Sequence, residues 1–96
     1  MSLNDYRDEV NAFLQKVRTE QEDIKKITGM LDEEIILLKE SLDNNDKLSH
    51  QVYDAMFLLF EIAAIKGLDL DLEWIKGRER KRVKYTGNIY WSNNNQ

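Results

Sequence analysis

The stretch Val52-Tyr53-Asp54-Ala55-Met56-Phe57-Leu58-Leu59-Phe60-Glu61-Ile62-Ala63-Ala64-Ile65 is apolar at every position except Asp54 and Glu61. A run of this length without proline or glycine reads as a helix, because buried strands are shorter and are bounded by turn residues. Apolar nearly all round, it is the central helix of an all-α domain. Ser49 reads as its N-cap and Gly67 as its C-cap. The whole chain has no proline and only four glycines, so little interrupts helices or builds tight β-turns.

Working outward, Met30 to Leu42 forms a helix with Leu31, Ile35, Leu38 and Leu42 on one face and Asp32 at its cap. Asp43-Asn44-Asn45-Asp46 has loop composition, and so short a connection makes the helices on either side antiparallel neighbours. Upstream, Ser2 with Asp5 resembles a capping box, and Leu3, Tyr6, Val10, Phe13, Leu14 and Val17 recur at helical spacing. The stripe pauses over the polar run 18–23, resumes at Ile24 and Ile27 and meets Gly29, so one long first helix is expected over 1–29. Downstream, Asp69 caps a fourth helix from about Leu70 to Val83, and 85–96 is expected as a docked arm or a frayed tail. The reading is one domain, an antiparallel bundle of about four helices with its core in 30–84.

Ninety-six residues bury only about 60 to 65% of the surface their unfolded chain exposes. Two short neighbours cannot cover an all-round apolar helix, so dimerisation is expected to complete the core. With no cysteine, the chain has no disulfide framework, thiolate zinc site or cysteine nucleophile, and a reducing, cytoplasmic compartment is the expectation. The first residues lack a basic region followed by an apolar run, so neither export nor a membrane span is expected. Between residues 75 and 85 six cations face Glu79 alone, a net +5 that leaves −9 for the rest of a chain whose total is −4.

Carboxylates inside an apolar helix need a partner, because burying one unpaired costs several kcal/mol. Asp54 and Glu61 lie seven residues apart on one face, and Glu33 and Glu40 have the same separation on the preceding helix. Brought together across two antiparallel helices, such groups suit a hard cation such as Mg²⁺. Otherwise Glu61 reaches solvent or pairs with Lys66, and Asp54 faces the bundle end. Lys76, Arg80 and Lys84 form one stripe at i, i+4 and i+8, suited to phosphate groups or a nucleic acid, or else a solvated face or one that balances the −9 of the other helices across a dimer. His50 reads as a loop-end residue, and Asp69, Asp71 and Glu73 are no calcium loop, since Trp74 stands where the turn glycine belongs. Trp74, Tyr85, Tyr90 and Trp91 either stack on a base or pack on a neighbour.

Residues 30 to 85 resemble the MazG-like all-α nucleotide pyrophosphohydrolases. The resemblance rests on Leu31-Asp32-Glu33-Glu34-Ile35-Ile36-Leu37-Leu38 for a Glu-Glu-x-x-Glu helix and on Gln51-Val52-Tyr53-Asp54 for Glu-x-x-Asp. Gly67-Leu68-Asp69-Leu70 then matches the turn, and Arg82-Val83-Lys84-Tyr85 the end of the basic helix. It implies a helical homodimer in which four acidic positions bind Mg²⁺ and the basic helix meets the phosphates of a nucleoside triphosphate. Glu34 and Asp54 carry over as metal ligands. The third glutamate of the first motif falls on Leu37 and the glutamate of the second on Gln51, leaving Glu33 and Glu61 as auxiliary ligands. Lys76, Arg80 and Lys84 would take the phosphates. The expected function is a pyrophosphohydrolase or an inactive relative that binds nucleotide. The alternative is a non-catalytic helical dimer that engages a protein or a nucleic acid.

Overall fold

The capping box forms as its residues suggest, and helix α1 (Leu3–Val17) starts from it. Ser2 Oγ accepts from the Asp5 N–H at 3.2 Å, and the Asp5 carboxylate accepts from the Ser2 N–H at 2.8 Å. The computed structural model describes every residue except Thr19, Asn95 and Gln96, with side chains as far as Thr86.

The long first helix expected over 1–29 is two helices. The backbone leaves the helix at Arg18 (φ −121°, ψ 147°), and α2 (Ile24–Glu40) begins after Asp23, whose carboxylate accepts from the Lys25 N–H at 3.0 Å. The polar run has no apolar face to bury, and the aspartate offers orphan backbone donors an alternative to continuing the helix. Gly29 and Asp32, read as caps, lie inside α2.

α3 (Asn45–Lys66) starts a turn before Ser49, because Asn44 takes the cap by accepting from the Lys47 N–H at 3.2 Å. Ser49 Oγ donates to the Asn45 carbonyl instead, at 2.8 Å. At the other end Gly67 adopts φ +63°, as a left-handed C-cap requires, and the Leu68 and Gly67 N–H groups reach the Ala63 and Ala64 carbonyls at 2.9 and 3.2 Å. α4 (Leu70–Asn94) continues through the segment expected as an arm or tail. One glycine at 87 costs a helix only about 1 kcal/mol, and no proline follows. The Tyr90 and Trp91 side chains lie outside those described.

The architecture is all-α with four helices, and there is no strand among the described residues. α3 packs most extensively on α2 and then on α1, where Phe13 meets Phe57 edge-on at 6.3 Å and Tyr6 meets Phe60 at 6.2 Å. Among the described residues Val10, Ile27, Ala55, Leu58 and Ala63 are the buried apolar ones. α4 leans on α1 through a polar junction. Asn4 donates to the Asp69 carboxylate (3.0 Å) and accepts from the Leu70 N–H (2.7 Å), Asp71 accepts from the Leu3 N–H (2.9 Å), and Arg7 donates to the Leu68 carbonyl (2.5 Å).

This junction makes the attachment of α4 acid-sensitive. The hydrogen bond from Asn4, then the one from the Leu72 N–H, hold the Asp69 carboxyl below its ordinary value, and hydrogen bonds from Ser2 do the same for Asp5. A depressed carboxyl stabilises the fold above its unfolded pKa, and that contribution is lost as pH falls through the folded value. Amide protection at the start of α4, taken relative to the intrinsic exchange rate at each pH, should therefore fall below about pH 4, with Asp69→Asn removing most of that dependence. An unchanged pH profile in the variant would rule the junction out as its source.

The chain is more extended than a compact domain of its length. The radius of gyration is 16.5 Å against about 12.5 Å for a compact domain of this length. The accessible surface is 7552 Å² where about 5,800 Å² is normal for the mass. Part of the excess is a stripe on α3, Val52, Met56 and Leu59 at i, i+4 and i+7, which remain 40, 44 and 52% exposed. α3 is also long and apolar enough, by length and composition alone, to cross a bilayer, with 22% of its most apolar window buried.

Candidate functional site

Opposite that stripe, α3 presents its acidic residues to a cleft shared with α2. Asp54 and Glu61, two turns apart on α3, line it together with Glu34 and Met30 of α2, and Tyr53, Phe57 and Leu58 form the remaining wall. The structure thus brings Glu34 and Asp54, from adjoining helices, to one cleft. Glu33 and Glu40 are exposed, and neither lines the cleft.

Glu61 is the most enclosed of these carboxylates, its side chain 4% exposed. Its partner is neither solvent nor Lys66 but Arg18, at the C-cap of α1, whose guanidinium donates to Glu61 Oε2. The pair closes one end of the cleft and separates it from a smaller hollow at the 18–23 connection. Nothing in the periodicity of residues 18–23 singles out Arg18. The only sequence signal is the demand of Glu61 for a cation, which several lysines and arginines could meet.

The cleft has more acceptors than donors. Glu61 Oε1 and Glu34 Oε2 are shut off from water with no hydrogen-bond partner, and so is Gln51 Oε1 one turn before Asp54 on α3. Among the described residues no three of His, Asp or Glu are grouped to hold a metal ion. The four-carboxylate pattern is half met: Leu37 offers no ligand and Gln51 only a neutral carbonyl. With Glu61 already paired to a guanidinium, the donor set does not fit Mg²⁺.

Lys76, Arg80 and Lys84 are exposed on α4 and do not line the cleft. Arg80 pairs with Glu73 at 3.0 Å, and the Lys84 ammonium lies 5.2 Å from the Tyr85 ring centre. Within one chain the cationic stripe and the acidic cleft are thus separate surfaces. Trp74 lines a third, an apolar groove of about 420 Å³ between Leu3, Leu70 and the Lys81 stem, and His50 is exposed near the start of α3. Comparison with known protein families, with curated proteins and with solved structures yields no significant match.

Proposed function

We propose that the chain is a non-catalytic, MazG-like helical module, a homodimer that binds through its α2–α3 cleft without Mg²⁺-dependent hydrolysis. One observation carries this reading: the cleft in which such an enzyme would gather four metal-binding carboxylates contains an internal cation, Arg18, on its most buried acid. An arginine there supplies fixed positive charge at the point where a divalent ion would be needed, and Leu37 and Gln51 remove two ligands. The order of the acidic pair, the Gly67 turn and the basic helix supports the kinship.

Pyrophosphate release from a panel of nucleoside triphosphates with Mg²⁺ should stay at the buffer rate, and Mg²⁺ should leave Tm unchanged at matched ionic strength. Release that Asp54→Ala abolishes would overturn the reading in favour of an enzyme.

The dimer rests on an exposed apolar face. Val52, Met56 and Leu59 leave an apolar strip of α3 open to solvent at 40, 44 and 52% exposure, the kind of surface a second copy would bury. This stripe is the natural centre of the interface. Sedimentation should find a dimer at micromolar concentration, and Met56→Glu should weaken it roughly a hundredfold by burying a charge. A monomer at that concentration, or a dimer indifferent to the substitution, counts against this interface. Self-association also accounts for the apolar length of α3 better than a membrane span, because Asp54 and Glu61 would then lie inside hydrocarbon. With no cysteine in the chain, a cytoplasmic location fits.

A further inference from the structure

The α2–α3 cleft is built to receive hydrogen-bond donors carried on positive charge. Three carboxylates line it, Glu34, Asp54 and Glu61, against one guanidinium, that of Arg18, so its formal charge is −2. Glu61, 3% exposed, spends Oε2 on Arg18 and leaves Oε1 buried without a donor, and Glu34 Oε2 is in the same condition from the opposite helix. A carboxylate is an acceptor only, so these atoms can be satisfied only by N–H, O–H or a metal. A divalent metal needs oxygens converging on one point, and no such group exists among the described residues.

The walls narrow the choice further. Tyr53 and Phe57 stand 6.2 Å apart with their rings inclined at 48°, and both line the cleft with Met30 and Leu58. Aromatic faces beside carboxylates favour alkylammonium groups, which bring three N–H donors, a positive charge for the ring quadrupole and methylenes for the apolar wall. Asp54 and Glu61, seven residues apart, are separated by about 10 Å along the helix axis. One ammonium cannot serve both ends; two joined by a short aliphatic chain can. The space available, about 400 Å³, lies within the range of small-molecule sites. A nucleoside triphosphate is the wrong sign for it.

We propose that the α2–α3 cleft binds a linear aliphatic polyamine. One ammonium sits between Glu34 and Asp54, the carbon chain lies along Phe57 and Leu58, and a second ammonium sits at the Glu61 end of the cleft. The inference rests on the reading of this cleft as free of metal, and the experiment separates the two.

Spermidine is titrated into the intact chain at low ionic strength, followed by calorimetry and amide resonances, with magnesium chloride at equal ionic strength in parallel. The expected result is saturable binding of one spermidine per chain, with shifts concentrated at residues 34, 53, 54 and 57 and none of comparable size with magnesium. Asp54→Asn and Glu34→Gln should each weaken spermidine about tenfold or more. Glu33→Gln, which removes the same charge from an exposed position outside the cleft, should change affinity less than twofold. Equal losses in all three variants mean diffuse attraction to an acidic protein and overturn the proposal, as does the absence of saturable binding. Cleft resonances that move with protein concentration and not with spermidine assign the cation to a lysine of a second copy, which also overturns it. Magnesium bound at the same residues with pyrophosphate release defeats the metal-free reading itself. Silence toward both magnesium and spermidine defeats only the polyamine. Asp54 is exposed, so its variant is expected to fold, and an unchanged circular-dichroism melt verifies that.

Discussion

Arg18→Ala is expected to lower the stability of the fold by about 3–5 kcal/mol, the range measured when one partner of a buried ion pair is removed. Glu61 has nowhere to turn: its side chain is 4% exposed, Oε1 is already without a donor, and loss of the guanidinium would orphan Oε2 as well. The reverse deletion, Glu61→Gln, should cost less, because Arg18 is 27% exposed and can be hydrated where it stands. Replacing both by methionine should recover most of the loss, since an apolar pair of similar volume avoids the desolvation of two charges. Urea unfolding of the wild type, the two single variants and the double variant gives the coupling directly. A loss below about 1 kcal/mol for Arg18→Ala would mean that the pair behaves as a solvated surface contact. Domains of this size have roughly 5–15 kcal/mol in total, so the substitution places the chain near the edge of folding, and Tm should fall by 10 °C or more.

How much of this was legible depends on whether the signal was local. The helical class, the capping box at Ser2, the Gly67 terminus and the Asp69 start of α4 were readable because each is decided within four or five residues. Asp69 accepts from the Leu72 N–H at 3.0 Å, as a cap should. The break between α1 and α2 was not readable from the apolar stripe, because Val17, Ile24 and Ile27 keep helical phase across it. Phase says that residues could share a face of one helix, not that the backbone remains helical between them. Ser49 was misread for a related reason: Asn44 lies within the same polar run and caps one turn earlier. The extension of α4 to Asn94 depends on backbone continuity that Asn-rich composition argues against.

The site was legible in part. An acid within an apolar helix announces that something must answer it, which is why Asp54 and Glu61 stood out, and the shared cleft with Glu34 follows from two antiparallel helices of known register. The identity of the answering group was not readable. Arg18 is 43 residues away from Glu61, on a segment whose direction was set by the unrecognised break. Had α1 continued to Gly29, Arg18 would have projected from a straight helix and not from its capped end. The cationic stripe illustrates the opposite limit. Lys76, Arg80 and Lys84 do share a face of α4, yet spacing along one helix cannot say which other helix that face meets.

The same break makes a second large effect predictable, at Ile27. In one continuous helix this residue would lie on a second half that is solvated or faces a partner, and where solvated its truncation would cost under 0.5 kcal/mol. Because the backbone leaves the helix at Arg18 and α2 restarts after Asp23, the first turns of α2 pack into the core, and Ile27 is the most completely buried large side chain, at 0% exposure. Ile27→Ala removes three buried carbon groups from a core whose other fully apolar members include two alanines and a single leucine. The expected loss is 2–5 kcal/mol, toward the upper part of that range if the cavity persists. Ile36→Ala, on the same helix but 56% exposed, is the matched control and should cost under 1 kcal/mol. Urea melts of the two variants decide between a docked and an undocked start of α2. Equal small losses would restore the single long helix, and with it remove the capped end that brings Arg18 to Glu61.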